Sequence, residues 1–228
     1  MWKTYSSLRK YPKLTLREER RLIREAKKKQ NKADELVLQK EKLREKYSIP
    51  KHIPVILFSG KLIDEKNPMI LLEAYMESSK KIESALVFVG DGYLRNRMEK
   101  YIKANNLKNV FIMGFRNQTE LPNFYSLADI FVLPSDSEPW GLVVNEAMCF
   151  GLPVIISDQV GAGSDLVKSD ENGYVFSAGD INALTNCLTD FVQNETKRKK
   201  FGLCSKEKIK TWSYKEGIKG LIEALKII

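Results

Sequence analysis

Histidine is almost missing from this chain: His52 is the only one in 228 residues. That excludes a histidine-based metal site and any imidazole-centred triad elsewhere in the sequence. Cysteine is scarce too. Cys149, Cys187 and Cys204 are odd in number, widely spaced and set among helix-forming residues. They read as reduced thiols of a cytosolic protein, not as a disulfide frame or a metal cluster. No apolar run approaches the ~20 residues needed to span a bilayer. The opening Met1-Trp-Lys-Thr-Tyr-Ser-Ser lacks the apolar core of a secretion signal. A cytoplasmic protein is expected.

What is present is unevenly distributed. Residues 1–50 hold 16 Lys/Arg against 7 Asp/Glu, whereas residues 51–228 hold 22 of each. The entire excess of positive charge therefore lies in the first 50 residues, and so does whatever a basic balance implies about partners. That segment has helical spacing (Leu22, Ile23, Ala26, then Ala33, Leu36, Val37, Leu43, Tyr47). Thr15 and Glu18 stand at capping-box distance ahead of it, and Ser48-Ile49-Pro50 closes it. Two parts are expected: a basic helical extension or linker over 1–50, and a main domain over 51–228.

From Pro54 onward, short apolar runs alternate with helical segments. Val55–Ser59, Ala85–Val89, Val110–Met113, Ile130–Leu133, Val154–Ser157 and Gly173–Phe176 read as strands. Asn67-Pro68 reads as a helix N-cap with proline at the first helical position. Further helices are expected over Tyr93–Ala104, from Leu142, over Ile181–Gln193 behind Asp180, and from Ser213 to Leu225. Near-continuous apolar strands alternating with helices predict an α/β fold with a doubly wound parallel sheet covered on both faces. Such sheets bind ligands at the carboxyl ends of their strands, so the loops there should carry the function.

The most informative of those loops is Pro134-Ser-Asp-Ser-Glu-Pro-Trp-Gly-Leu-Val-Val-Asn-Glu-Ala-Met148. It sets Glu138 on the loop after the fourth strand and Glu146 in the opening turns of a helix. Between them lie Gly141 and the free N–H groups of the helix start, which attract anions. A carboxylate on each side of an anion site suits a ligand with hydroxyls on both sides of a phosphate, the layout of a nucleotide-sugar. After the first strand, Gly60-Lys61-Leu-Ile-Asp-Glu-Lys66 offers two cations that can converge on a diphosphate or simply face solvent. Gly90-Asp91-Gly92 lacks the third glycine of a dinucleotide fingerprint. Gly161-Ala-Gly163 suits either a pocket floor or a tight turn.

The pair Glu138…Glu146, embedded in Pro-Trp-Gly-Leu-Val and followed by Gly151-Leu-Pro-Val-Ile155, resembles the signature of group 1 retaining glycosyltransferases of the GT-B fold. The resemblance covers about Leu43 to the C-terminus and matches the donor-binding half of such enzymes, a Rossmann-like domain. It implies transfer of a hexose from a nucleoside-diphosphate sugar to a hydroxyl, with retention. Glu138 would hold hexose hydroxyls near the reacting carbon, and Glu146 would take the ribose hydroxyls. Lys61 and Lys66 would meet the diphosphate, although the family usually has Arg at the first position. The amides of Trp140, Gly141, Leu142 and Val143 would bind sugar hydroxyls and the distal phosphate. Gly60, Gly90 and Gly92 would let the backbone approach the donor, and the turn at Gly114-Phe115 would meet the base. No metal or other cofactor is expected.

The resemblance also implies an acceptor-binding domain, and residues 1–50 do not look like one. The alternative is a non-catalytic nucleotide-sugar-binding subunit or remnant that needs a separate acceptor-domain partner. The basic segment could lie on an anionic membrane face, dock that partner, or be an ordinary solvated surface. Tyr11-Pro-Lys-Leu-Thr-Leu-Arg-Glu-Glu-Arg faintly resembles the first helices of primary sigma factors, without a specific motif, and nucleic acid is not expected as a partner.

Overall fold

Six apolar runs become six strands: β1 (Val55–Ser59), β2 (Ala85–Val89), β3 (Val110–Ile112), β4 (Ile130–Leu133), β5 (Val154–Ser157) and β6 (Gly173–Phe176). All pair in parallel, in the order β3-β2-β1-β4-β5-β6. Every residue of β1, β2, β4 and β5 is buried, as a sheet covered on both faces requires. This is the expected doubly wound, Rossmann-like α/β architecture. The structure is a computed structural model and describes residues 39–212 and residue 216. The capping pair Thr15 and Glu18, the rest of the extension before residue 39, and the last helix expected from Ser213 lie outside the described residues.

The described residues contain eight α-helices: α1 (Lys40–Lys46), α2 (Pro68–Ser79), α3 (Arg95–Ala104), α4 (Leu121–Leu127), α5 (Leu142–Cys149), α6 (Gly163–Leu166), α7 (Ile181–Gln193) and α8 (Glu195–Lys210). Right-handed crossovers place α2 and α3, which link β1 to β2 and β2 to β3, on one face and α5, which links β4 to β5, on the other. Helix α7 starts as expected at Asp180, whose carboxylate accepts the Ala183 amide at 2.9 Å. It packs on α2, while α8 packs on α5. Helix α8 was not anticipated, because its sequence is dominated by charge. Only Phe201, Gly202, Ser205 and Ile209 are buried, a thin stripe that does not stand out as an apolar period. Gly202 lies so close to Gly151 that a Cβ would come within 2.1 Å of its carbonyl oxygen. Cys149, Cys187 and Cys204 form no disulfide. No helix among the described residues is long and apolar enough to cross a membrane.

Helix α1 falls within residues 1–50, expected to be extension or linker, yet it belongs to the same compact unit as the sheet. The reason is a half-buried carboxylate. Asp129, just before β4, accepts the Val55 amide at 2.7 Å and so ties the amino ends of β1 and β4 together. Its charge needs a counter-charge. Lys40 reaches it at 2.6 Å, and Arg44, only 5% exposed, forms an ion pair with its other oxygen. The Arg44 guanidinium also donates to the carbonyls of Leu127, Lys51 and Ile53 at 3.0, 2.9 and 3.2 Å. Basic residues that read as a solvated helix face thus close the bottom of the sheet.

Burial by itself would raise the Asp129 pKa, but Lys40, Arg44 and the Val55 amide outweigh it and hold the carboxyl below its ordinary value. A depressed carboxylate stabilises the fold above its unfolded pKa, and the contribution is lost as pH falls through the folded value. Asp129→Asn should therefore lower stability by roughly 3 kcal/mol near pH 7, because it leaves two cations uncompensated. The difference from the parent should shrink as pH falls below about 4. Denaturant unfolding at several pH values checks this, and a pH-independent difference would exclude the ionic origin.

Candidate functional site

Strand order reverses direction between β1 and β4, so the loops leaving these neighbouring strands diverge and open a crevice at their carboxyl ends. The β1 loop enters it through a single 3-10 turn, Asp64–Lys66, and leaves through Asn67, whose left-handed conformation (φ 53°) turns the chain into α2. The β4 loop faces it. Lys66 and Glu138 form an ion pair across the crevice, with side chains 20% and 16% exposed. Two further bonds join the loops: the Asp136 amide donates to the Glu65 carbonyl at 3.0 Å, and the Asn67 side-chain amide donates to the Asp136 carboxylate at 2.9 Å. Asn67 therefore does not cap α2 with its side chain as expected, since that group is engaged across the crevice.

On its other side the β4 loop is bonded to the β5 loop. Glu138 takes part in an isolated parallel bridge with Val160, its amide donating to Gln159 and its carbonyl accepting from Gly161 at 2.9 Å. The Ala162 amide bonds the Trp140 carbonyl at 2.8 Å. Gly161 is required by this approach, because a Cβ there would lie 2.1 Å from the Pro139 carbonyl oxygen. The segment thus forms a tight turn that braces the Glu138 loop.

Gly141, at φ 91°, turns the loop into α5, whose first turn has no side-chain cap. The amides at Leu142 and Val143 are thus available at the helix start. Half-buried Trp140 directs its indole N–H to Asn145 at 3.0 Å. One turn further, the Glu146 carboxylate accepts a hydrogen bond from the Tyr125 hydroxyl at 2.9 Å. Tyr125 comes from α4 and is buried; burial first, and then the Glu146 charge, push its pKa well up, so the phenol acts as a donor. The sequence gives no sign of this residue's involvement, since only the fold brings α4 against α5.

The remaining candidates sit farther out. The glycines at 90 and 92 have a local cause: a Cβ on Gly90 would meet the Gly60 carbonyl oxygen at 1.8 Å, and one on Gly92 would meet that of Leu62 at 2.3 Å. They let the β2 loop lie on the β1 loop, where the Gly60 and Leu62 amides bond Val89 and Asp91 at 3.0 Å each. Tyr93 clamps the same loops, accepting from the Asp64 amide at 3.0 Å and donating to its carboxylate at 2.8 Å. Lys61 is exposed on the β1 loop. Phe115 follows β3, two strand spacings (about 10 Å) from β1, and is 76% exposed. The fold thus brings Lys66, Glu138 and the start of α5 to one crevice and holds Glu146 beside it. Lys61 and Phe115 are exposed on the loops that leave β1 and β3.

A family model described as glycosyl transferases group 1 matches residues 39–208. An uncharacterized glycosyltransferase of Methanocaldococcus jannaschii is 30% identical over 165 residues, covering 72% of this chain and 46% of that protein. The Escherichia coli UDP-Gal:alpha-D-GlcNAc-diphosphoundecaprenol alpha-1,3-galactosyltransferase is 35% identical over 139 residues, 59% of this chain and 35% of that protein. Among solved structures, a TarM mutant from S. aureus, in complex with Fondaparinux, alpha-GlcNAc-glycerol and UDP, superposes with a TM-score of 0.68 at 26% identity. The match covers 75% of this chain and 35% of that one. The chain spans less than half the length of these relatives.

The loop bracing is directly testable. Gly161→Ala should cost more than about 1 kcal/mol, because backbone atoms and not a flexible side chain must move. Gly179→Ala, where φ is +83° but nothing lies within 4 Å, isolates the strain of the backbone conformation alone. Thermal unfolding should rank Gly161→Ala as the more damaging of the two; the reverse order would mean that the β4–β5 loop contact is not tightly held.

Proposed function

This chain belongs to the group 1 glycosyl transferases, and from that premise we propose that it forms the donor-binding part of a retaining hexosyltransferase that uses a nucleoside-diphosphate sugar. The observation that carries the reading is the convergence of Lys66, Glu138 and an uncapped helix start at the β1/β4 crevice. Relatives whose names or structures include UDP support a nucleotide-linked donor.

In this reading the diphosphate lies against the amides at Leu142 and Val143 and draws Lys66, with Lys61 closing over it from the β1 loop. Glu138 turns to the hexose hydroxyls, Glu146 accepts from the ribose, and the base rests near Phe115. The bond from the anomeric carbon to the phosphate oxygen breaks, and the acceptor oxygen bonds to the same face of that carbon. The acceptor proton passes to the departing diphosphate. Most of the rate enhancement comes from positioning and from charge offset by lysines and helix end, without a divalent metal. The acceptor is held by protein outside residues 39–208, in a neighbouring domain or a separate subunit. The alternative, a module that binds the donor without turning it over, differs in that one respect.

Calorimetric titration with UDP, GDP and ADP and their sugar conjugates, with magnesium and with chelator, tests the site. One base should bind saturably, and chelator should make no difference. Glu138→Gln should leave nucleotide affinity within about threefold while lowering turnover in a reconstituted system by about a hundredfold or more. Glu146→Ala should weaken nucleotide binding by about tenfold or more, the loss of a charged acceptor. Parent-like behaviour of both variants would rule out these assignments, and binding without turnover beside an acceptor domain would favour the binding module.

A further inference from the structure

Tyr125 is a hydroxyl in an aromatic pocket. Its ring stacks on Phe150 with centroids 5.5 Å apart and lies 6.0 Å from that of Phe131, and the residue is 2% exposed. Packing alone would be served as well by phenylalanine. A buried phenol needs a partner for its proton, and the acceptor here is an oxygen of Glu146, a residue on the exposed side of α5. The Ser59 hydroxyl, at the carboxyl end of β1, interacts with the same phenol. One Glu146 oxygen is thereby held from below, while the other has no protein partner among the described residues. A long carboxylate on an exposed helix face otherwise samples many rotamers, and ordering it is costly for any ligand that must do so on binding.

We infer that Tyr125 is a positioning residue: its hydroxyl fixes the Glu146 carboxylate so that the free oxygen is presented, already oriented, to the ribose diol of the donor. This rests on the donor-binding reading above and adds to it a second residue that sets the preference for ribonucleotides. Because the phenol acts on the ligand only through the carboxylate, its contribution appears only when the ligand has the hydroxyls that Glu146 accepts.

The test is titration of the full chain and its Tyr125→Phe variant with UDP, GDP and ADP, each alongside its 2′,3′-dideoxy counterpart. The parent should prefer the ribo form of whichever base it binds. Tyr125→Phe should bind that ribo form about tenfold more weakly, bind the dideoxy form unchanged, and melt cooperatively. Equal losses for both forms would make Tyr125 a packing residue only, and no loss for either would also sink the inference. In those two cases the donor reading stands as long as the parent prefers ribose and Glu146→Ala abolishes that preference. A parent that binds none of the nucleotides, or a ribose preference that survives Glu146→Ala, would remove the donor reading and this inference together.

Discussion

The junction between β1 and β4 is where the whole domain is decided. Both strands are buried on both faces, so neither can display a polar side chain along its length, and their chemistry is confined to their two ends. Each end is closed by a partly buried ion pair. At the amino end Asp129 binds the first amide of β1 and gathers Lys40 and Arg44, which brings α1 onto the domain. At the carboxyl end Lys66 and Glu138 meet across the crevice, supported by Asn67 and Asp136. The first cluster is filled by the protein's own groups, including the backbone carbonyls of Leu127, Lys51 and Ile53 on Arg44 and of Ala128 on Lys40. The second is built on loops, with an uncapped helix start beside it, and so has capacity left for a ligand.

Rigidity in those loops comes from backbone packed on backbone. The β2 loop lies on the β1 loop through Gly90 and Gly92, and the β5 loop lies under the β4 loop through Gly161. Glycines that read as room for a ligand are occupied by neighbouring peptide groups. The crevice walls are therefore continuous hydrogen-bonded layers, and the side chains they carry, Lys66 and Glu138 above all, inherit that order.

Strands and their carboxyl-end loops were legible because buried parallel strands leave unbroken apolar runs and because turn residues punctuate them. The Glu138 and Glu146 loop was legible from its specific flanks. Three things were not. Helix α8 conceals a thin buried stripe under charge. The role of α1 depends on Asp129, which lies 85 positions from Arg44. Tyr125 reaches Glu146 across 21 positions and two helices, with no periodic signal to link them. The last two are polar or charged groups whose partners are fixed by topology, and local pattern does not encode such pairings.

In the proposed donor-binding reading, the Lys66–Glu138 contact would also set what the crevice ignores. A cation and a carboxylate that already neutralise each other have little field to offer a passing orthophosphate or chloride. Capturing such an ion would uncover the carboxylate, whose desolvated charge would then stand unmatched. Only a molecule that brings an anion for the lysine and hydroxyl donors for the glutamate replaces both halves of the contact at once. In the proposed donor-binding reading the pair would thus act as a filter against small anions, tuned to ligands in which phosphate and polyol are joined.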